Sequence, residues 1–573
     1  MKPTHSKMRG ERKTDTGNGV VRLIFVVLAS MLQILFLYGV MRWLNNYSTW
    51  IHIVIELGAL TLVLGIYGRH STTSMKMPWI VFITVAPVLG TILWLLMASK
   101  PATHPMKLRF ARIEEMLSMF RIRQEDAPEK LKRRNPNDAG IANYLWRQGH
   151  FPLYRNEGCL YYKDAAQALE AQLEDLRKAE KFIFMEYFAI EDKEAFGRVR
   201  EVLRERAAAG VEVRLFYDDV GSIGFINSSF RKRMEAEGIR TRVFNPVLPS
   251  LRVFMNNRDH RKITVIDGKV AYTGGYNLAD EYFNITHPYG EWKDAGIRLT
   301  GPAVRTFTTV FLEMWNAIRA SDEDDHEFER FFPGLSVGRE GEEARSVREI
   351  WEEARESGEE PAAFWQRIAE RDIAVDPEQE STIYDIVPDA AGFVQPYADS
   401  PLDDEQIGEN VYMSIANGAS DYLYFVTPYL ILTDEMSRAL TLAAERGVDV
   451  RIITPGTPDK KITYQLTRSY YAQLVRGGVR IYEFTPGFCH AKCCVSDDRI
   501  ATCGTINLDY RSLYHHFEDG CVMYGTHSVL DVKEDLLETL ARSREVTDEY
   551  RPGHRSATMR MYQCVLRLIA PLM

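Results

Sequence analysis

Cysteine is scarce in this sequence and shows no framework spacing. Only 7 of the 573 residues are cysteine, and two of them, Cys493 and Cys494, are adjacent. This composition excludes the small secreted proteins that disulfides hold together, and it favours a reducing compartment. Cys489 and His490 lie close by, but no second pair of ligands has the spacing of a metal site. We therefore expect neither a metal nor a cofactor.

A strong excess of positive charge is also missing. The formal net charge is −9 at pH 7, but residues 321–380 alone contain 20 acidic residues, 7 arginines and no lysine. That segment carries −13, which leaves +4 for the remainder of the chain. A mildly positive body suits an anionic substrate or surface, and it differs from the basic footprint of a nucleic-acid-binding protein. We expect no nucleic acid among the partners.

Long apolar runs, by contrast, open the chain: Leu23–Met41, Ile51–Tyr67 and Pro78–Met97. The first is uncharged, is long enough to span a bilayer and lacks the cleavage site of a signal peptide. Basic residues flank the three runs on both sides, so one run is expected to be re-entrant or interfacial. We predict a membrane anchor of two or three apolar helices in residues 1–100, and the number of true spans stays open.

A pattern of six fixed positions, His-x-Lys-x4-Asp-x6-Gly-[Gly/Thr]-x-Asn, occurs twice. The first copy consists of His260, Lys262, Asp267, Gly274, Gly275 and Asn277, and the second of His490, Lys492, Asp497, Gly504, Thr505 and Asn507. At ordinary residue frequencies such a pattern matches about one start site in ten million. Two copies therefore indicate an internal duplication, in which each half contributes one histidine to a shared site.

The spacing within each copy has a structural meaning. Side chains alternate along a strand, so His260 and Lys262 share one face, and the second copy repeats this arrangement. Asp267 has the opposite parity and is followed by Gly268, which predicts a hairpin turn. Asp497 occupies the same place in the second copy. We interpret the two aspartates as positioning residues.

Paired histidines and lysines suit the cleavage of a phosphodiester. A neutral imidazole can attack phosphorus, and a protonated one can donate its proton to the leaving oxygen. The lysines, with Asn277 and Asn507, would bind the non-bridging oxygens, and the glycine-rich closures bring backbone donors close. Each histidine also needs a partner for its second ring nitrogen. Glu518, 28 residues after His490, is the candidate in the second half, and Asp294 or Glu291 is its counterpart for the first half.

Helical and strand-like patterns alternate in the same order around both motifs, which predicts an α/β fold. We expect a linker at 101–143, a first half at 144–320, an acidic connector at 321–390 and a second half at 391–573. The C-terminal run Ala557–Met573 fits a packed terminal helix and an interfacial membrane helix equally well.

The two H-x-K-x4-D motifs resemble those of the phospholipase D superfamily, and the wider pattern looks like bacterial cardiolipin synthases of that superfamily. The similar segments are Leu215–Ser222, Thr427–Tyr429, Gly504–Leu513 and Phe517–Glu518. The resemblance implies two pseudo-symmetric α/β/α halves that pack together and are preceded in the chain by an N-terminal membrane-anchoring helical region. Thr505 departs from the serine of many members but keeps the hydroxyl.

The resemblance implies a metal-independent transferase at the bacterial cell membrane. It would transfer a phosphatidyl group from one phosphatidylglycerol molecule to another and release glycerol. His260 would carry the phosphatidyl group and His490 would transfer the proton. A phospholipase D that hydrolyses lipids is the main alternative, a nuclease is less favoured, and an inactive scaffold would predict decay of one motif. The sequence leaves open the oligomeric state, the membrane side of the site and the preference for acyl chains.

Overall fold

The structure, a computed structural model, describes residues 49–69, 72–97, 104–227, 229–246, 257–318, 328–337, 391–403, 405–551 and 557–572, with isolated positions in 28–42 and 350–375. In the described ranges from residue 49 onward, the helices before the first sheet are α1 (Thr49–Tyr67), α2 (Thr73–Val85), α3 (Pro87–Met97), α4 (His104–Ser118), α5 (Ala127–Arg134) and α6 (Pro136–Gly149).

The first half contains, in chain order, β1 (Tyr154–Arg155), β2 (Cys159–Tyr162), α7 (Ala165–Arg177), β3 (Phe182–Tyr187), α8 (Glu194–Ala208), β4 (Glu212–Asp218), α9 (Asp219–Ser222), α10 (Phe230–Ala236), β5 (Ile239–Phe244), β6 (Arg258–Asp259), β7 (Lys262–Ile266), β8 (Val270–Gly274), β9 (Glu291–Lys293), β10 (Gly296–Thr300) and α11 (Val304–Ala317). Two short strands follow, β11 (Leu335–Val337) and β12 (Ile373–Val375).

The second half contains β13 (Phe393–Asp399), α12 (Ile407–Gly418), β14 (Tyr422–Val426), β15 (Leu430–Ile431), α13 (Asp434–Glu445), β16 (Asp449–Pro455), α14 (Lys461–Arg476), β17 (Arg480–Phe484), β18 (Gly487–Cys489), β19 (Cys493–Ser496), β20 (Ile500–Gly504), β21 (Leu508–Asp509), α15 (Tyr510–Tyr514), β22 (His516–Tyr524), α16 (His527–Ala541), β23 (Ser543–Glu545) and α17 (Ala557–Ile569).

The two main sheets have the same internal strand order. The first runs β10-β8-β7-β3-β4-β5 and the second β22-β20-β19-β14-β16-β17, each extended by further strands at its edges. In both, the last three strands are parallel, and the strand that follows the motif histidine is antiparallel to its neighbours. The expected mixed α/β fold with two pseudo-equivalent halves is confirmed.

Local sequence explains why these elements form. β3 is an almost continuous apolar run and is buried along its whole length, as expected for a strand covered on both faces. Asp164 is the N-cap of α7, and its side chain accepts a hydrogen bond from the amide of Ala166. Thr433 is the N-cap of α13, and its hydroxyl accepts from the amide of Met436. The predicted hairpin at Asp267 is also confirmed, because β7 and β8 pair on either side of it.

Three strand pairs join the halves to each other. β1 pairs with β13, β6 pairs in parallel with β22, and β9 pairs in parallel with β18. Apolar packing follows the same connection, since one continuous core includes Phe184 and Val265 of the first sheet together with Val495 of the second. The strands that carry the two motifs are therefore fixed against each other by backbone hydrogen bonds.

The N-terminal region differs from the prediction in one respect and leaves another open. Residues 101–143, expected to be a linker, form α4, α5 and most of α6, because apolar residues such as Phe110, Ile113 and Leu117 recur at helical spacing and are buried. Within the part of the chain that the structure describes, no helix is both long and apolar enough to cross a membrane. The run Leu23–Met41 lies mostly outside the described residues, as does most of the predicted connector.

Candidate active site

Each motif histidine is held by the backbone of the opposite half. The amide of His260 donates to the carbonyl oxygen of Phe517 at 2.9 Å, and the amide of His490 donates to that of Lys293 at 2.7 Å. These contacts continue the pairing of β6 with β22 and of β18 with β9. Phe517 and Lys293 each precede an acidic residue, so the pairing brings a carboxylate of the other half beside each imidazole.

The carboxylates contact the histidines in a crossed arrangement. His260 Nδ1 lies 2.9 Å from both carboxylate oxygens of Glu518, and His490 Nδ1 lies 2.8 Å from Asp294 Oδ2. The expected assignment of each carboxylate to the histidine of its own half is therefore wrong. The parallel strand pairs between the halves cause the exchange, and position along the chain does not reveal them.

Both motif lysines are buried beside the imidazoles. The ammonium groups of Lys262 and Lys492 donate to the carbonyl oxygens of His260 and His490, and Lys492 Nζ also lies 2.7 Å from His490 Nδ1. Burial lowers the pKa of Lys262 to about 8. Burial, together with the charge of Lys262, lowers the pKa of Lys492 to about 7. The two lysines thus act on each other across the boundary between the halves.

The histidines share one electrostatic environment. Burial, with the charge of Lys262, lowers the pKa of His260 well below its ordinary value, and burial with Lys492 lowers that of His490 to about 4. The charges of Lys492 and His490 also lower the pKa of His260, so the two half-sites influence each other electrostatically. Without substrate, both imidazoles are neutral near pH 7.

The pKa values of the two carboxylates shift in opposite directions. Burial raises the pKa of Glu518 well above its usual range. Burial acts on Asp294 in the same direction, but His490 and Lys492 outweigh it and hold the pKa of Asp294 below its usual value. The half-sites are therefore similar in geometry, but burial dominates the pKa of one carboxylate and the neighbouring cationic groups dominate that of the other.

The motif aspartates face away from this chemistry. Asp267 accepts hydrogen bonds of 2.7–2.8 Å from the amides of residues 180–182, and Asp497 accepts bonds of 2.9–3.0 Å from those of residues 420–422. Both have positive φ angles, 53° and 55°, which the hairpin turns require. Each aspartate ties its turn to the start of the central strand, β3 or β14.

The asparagines are engaged in contacts around the site. Asn277 accepts from the amide of Ala189 at 3.1 Å and donates to the hydroxyl of Tyr282 at 2.9 Å. Asn507 donates to Asp509 Oδ2 at 3.1 Å, while its buried Oδ1 has no hydrogen-bond partner in the described part of the chain. These bonds orient the amides beside the motif strands.

The residues of the glycine-rich closures control how closely the strands approach. A Cβ atom on Gly275 would lie 2.0 Å from Asp294 Oδ1, and one on Gly274 or Gly504 would lie 2.4 Å from a backbone oxygen of the neighbouring strand. Thr505 donates its hydroxyl hydrogen to Glu518 Oε2 at 2.5 Å. The closures thus set the position of the carboxylates that contact the histidines.

Two aromatic residues of the site were not among the residues predicted from the sequence. Trp292 and His516 stand two positions before Asp294 and Glu518, and each ring packs on a motif histidine. Their identical offset from the acids was the available signal. Among the described residues, His260, His516 and Glu518 are also the group whose donor atoms lie close enough together, within 4.8 Å, to hold a metal ion.

Comparison with known proteins places this geometry in a family. The family described as "Cardiolipin synthase, PLD-like domain" matches residues 173–315 and 412–540. An uncharacterized protein of Streptococcus mutans is 38% identical over 89% of this chain and 99% of its own length. A cardiolipin synthase of Halalkalibacterium halodurans is 28% identical over 91% of this chain and 93% of its length.

A solved structure supports the fold independently. The phosphatidylserine synthase of Haemophilus influenzae superimposes with a TM-score of 0.52 at 14% identity, over 76% of this chain and 99% of that protein. At this identity the likeness concerns the fold alone. The family match and the relatives that cover almost the whole chain lead to one conclusion: this chain belongs to the bacterial cardiolipin synthase family of the phospholipase D superfamily.

Proposed function

We propose that the protein is a cardiolipin synthase, which transfers a phosphatidyl group from one phosphatidylglycerol molecule to another and releases glycerol. The observation that carries the proposal is the pair of crossed histidine–carboxylate contacts, His260 with Glu518 and His490 with Asp294, in one buried site with two lysines. Relatives named cardiolipin synthase, which match most of the chain, support the choice of substrate.

In the first step, Nε2 of neutral His260 attacks phosphorus and the bond from phosphorus to the glycerol oxygen breaks. The arriving phosphodiester is anionic, so it raises the pKa of His490, and the charged Asp294 further stabilises the imidazolium form. Protonated His490 donates its proton to the leaving glycerol oxygen. Lys262 and Lys492 stabilise the charge on the non-bridging oxygens.

The second step reverses these roles. Neutral His490 takes the proton from a hydroxyl group of a second phosphatidylglycerol, whose oxygen attacks the phosphorus held on His260. The bond between phosphorus and nitrogen breaks, cardiolipin is released and His260 returns to its neutral form. The negative charge of Asp294 and the raised pKa of Glu518 support this order, since the proton carrier needs the charged partner.

An exposed apolar surface supports access from a membrane. α17 leaves Met561 and Val565, 68% and 58% exposed, on the side that faces away from its packed residue Leu566. α17 packs against α14 and α2, and α1 adds further exposed apolar side chains. The carbonyl of Pro571 lies 3.4 Å from Nε2 of His515, next to the site. We therefore propose that α17 lies in the membrane interface and that lipid enters beside α15.

Product analysis tests the proposal. The purified protein, incubated with phosphatidylglycerol vesicles and a chelator, should produce cardiolipin and glycerol in equal amounts. Phosphatidic acid as the main product would identify a hydrolase of the same superfamily instead. His260→Ala and His490→Ala should each lower turnover to background, because each removes one of the two groups that the reaction needs.

A further inference from the structure

Each half-site contains a second aromatic ring with the same geometry. The ring of His516 packs on His260 with centroids 5.4 Å apart and planes at 41°. The ring of Trp292 packs on His490 with centroids 5.2 Å apart and planes at 46°. Both rings belong to the strands that pair in parallel with the opposite half, β22 and β9. The duplication thus preserves an aromatic ring at this place although the residue type differs.

Both rings also carry a nitrogen at the same distance from the carboxylate. Trp292 Nε1 donates to Asp294 Oδ2 at 3.4 Å, and His516 Nδ1 lies 3.4 Å from Glu518 Oε1. His516 is 8% exposed, and its Nδ1 has no hydrogen-bond partner among the described residues. A buried polar atom without a hydrogen-bond partner destabilises the folded state, so the unsatisfied Nδ1 of His516 requires an explanation.

The tautomer of His516 follows from its other nitrogen. Arg511 Nε lies 3.1 Å from His516 Nε2, and because a guanidinium can only donate, Nε2 must accept. The proton of the neutral ring is therefore on Nδ1, the nitrogen that lies 3.4 Å from Glu518 Oε1. Burial, together with the charge of Arg511, lowers the pKa of His516 well below its ordinary value, which keeps the ring neutral.

The same bond argues against a metal ion at His260, His516 and Glu518, although their donor atoms have suitable spacing. A metal ion on His516 Nδ1 would require the ring proton to move to Nε2, where it would face the N–H of Arg511. The arrangement instead resembles that of Trp292, whose indole nitrogen is a donor and never a metal ligand.

We propose that His516 and Trp292 are equivalent positioning residues, each of which donates a ring N–H to the carboxylate that orients the motif histidine of the opposite half. Together with Thr505 on Glu518, and the amide of Ala295 on Asp294, these donors fix the carboxylates from several directions. The rings also limit rotation of His260 and His490. Contacts that are long without substrate tighten when the reacting complex forms.

Matched substitutions separate the N–H group from the ring. His516→Phe and Trp292→Phe remove the ring N–H and keep an aromatic ring, and His516→Phe also removes the acceptor of Arg511 Nε. Each should lower kcat about tenfold, the effect of one hydrogen bond to a buried carboxyl group, with KM changed less than twofold. His516→Asn replaces the donor with an amide near the place of Nδ1 and should restore kcat to within threefold of the wild type. His527→Phe makes the same change at an exposed position at the start of α16 and serves as the control.

The inference rests on the proposed phosphodiester chemistry, so the readouts are chosen to keep the two apart. Release of glycerol from phosphatidylglycerol vesicles and cleavage of a soluble chromogenic phosphodiester measure the shared first step, whether the acceptor is lipid or water. A wild-type protein that does neither would contradict the proposed function. Wild-type kcat in both phenylalanine variants, or a loss in His516→Asn as large as in His516→Phe, would overturn the positioning role. Loss of activity in His516→Phe that a chelator reproduces in the wild type would indicate a metal site instead.

Discussion

The crossed contacts predict that the two carboxylates affect different steps of the reaction. Asp294→Asn should weaken the proton transfer of His490, and Glu518→Gln should weaken the nucleophile His260. Each variant weakens a hydrogen bond of 2.8–2.9 Å to an imidazole, because a neutral amide replaces the carboxylate. Such a bond contributes about 1.5–3 kcal/mol, which corresponds to a loss of about 10-fold to 150-fold in rate.

A leaving group that needs no proton distinguishes the two steps. With phosphatidyl-p-nitrophenol, p-nitrophenolate leaves without help, so Asp294→Asn should keep the initial burst of p-nitrophenol although it loses turnover of phosphatidylglycerol. Glu518→Gln should lose both, because its nucleophile is impaired with either substrate. Glu291→Gln is the matched control, since Glu291 is a partly exposed residue that pairs with Arg542.

The reverse pattern would refute the reasoning. If Glu518→Gln kept the burst and Asp294→Asn lost it, either the contacts would not be crossed in the working enzyme or the nucleophile would be His490. Equal losses with both substrates in both variants would show that the carboxylates act only on stability, which a thermal melt of the same samples would reveal.

Three further predictions concern the surroundings of the site. Gly275→Ala should abolish glycerol release, because its Cβ would lie 2.0 Å from Asp294 Oδ1 and must displace it, whereas Gly197→Ala, with open space around it, should keep full activity. In the wild type, kcat/KM should fall as the pH rises through about 7, where Lys492 loses its charge, and Lys492→Arg should move this decline to higher pH. Asp497→Asn should lower the free energy of unfolding in urea by about 1–3 kcal/mol at pH 7. Burial raises the pKa of Asp497, but the hydrogen bonds from backbone amides outweigh burial and leave the pKa below its usual value. The difference in unfolding free energy between wild type and Asp497→Asn should therefore shrink as the pH falls through this lowered pKa.

The local features of the fold could be predicted from sequence, since they depend on neighbouring residues. The Asp267 turn was recognisable from its glycine. His260, expected on one strand with Lys262, instead lies between β6 and β7, because its amide bonds to the opposite half. The contact of His260 with Glu518 joins residues 258 positions apart, and that of His490 with Asp294 spans 196. Nothing along the chain indicates which half supplies the neighbouring strand, so the exchange of carboxylates could not be predicted.

The helices of residues 101–143 were missed for a different reason. Their charged residues are frequent enough to suggest a solvated linker, while the buried apolar positions, such as Phe110 and Leu131, form only one face of each helix. A helix whose polar face is rich in charge resembles a linker in composition and differs from it in period. The period of the pattern, rather than its average polarity, was the informative quantity.

The pairing of strands between the two halves has a consequence while the chain is being synthesised. While the chain emerges from the ribosome, the amino-terminal half carries His260 but lacks Glu518, and Asp294 waits for a histidine that has not yet been translated. No nascent chain that ends before Glu518 therefore contains His260 together with its orienting acid. The site is completed only when the second half has been translated and has paired its strands with the first.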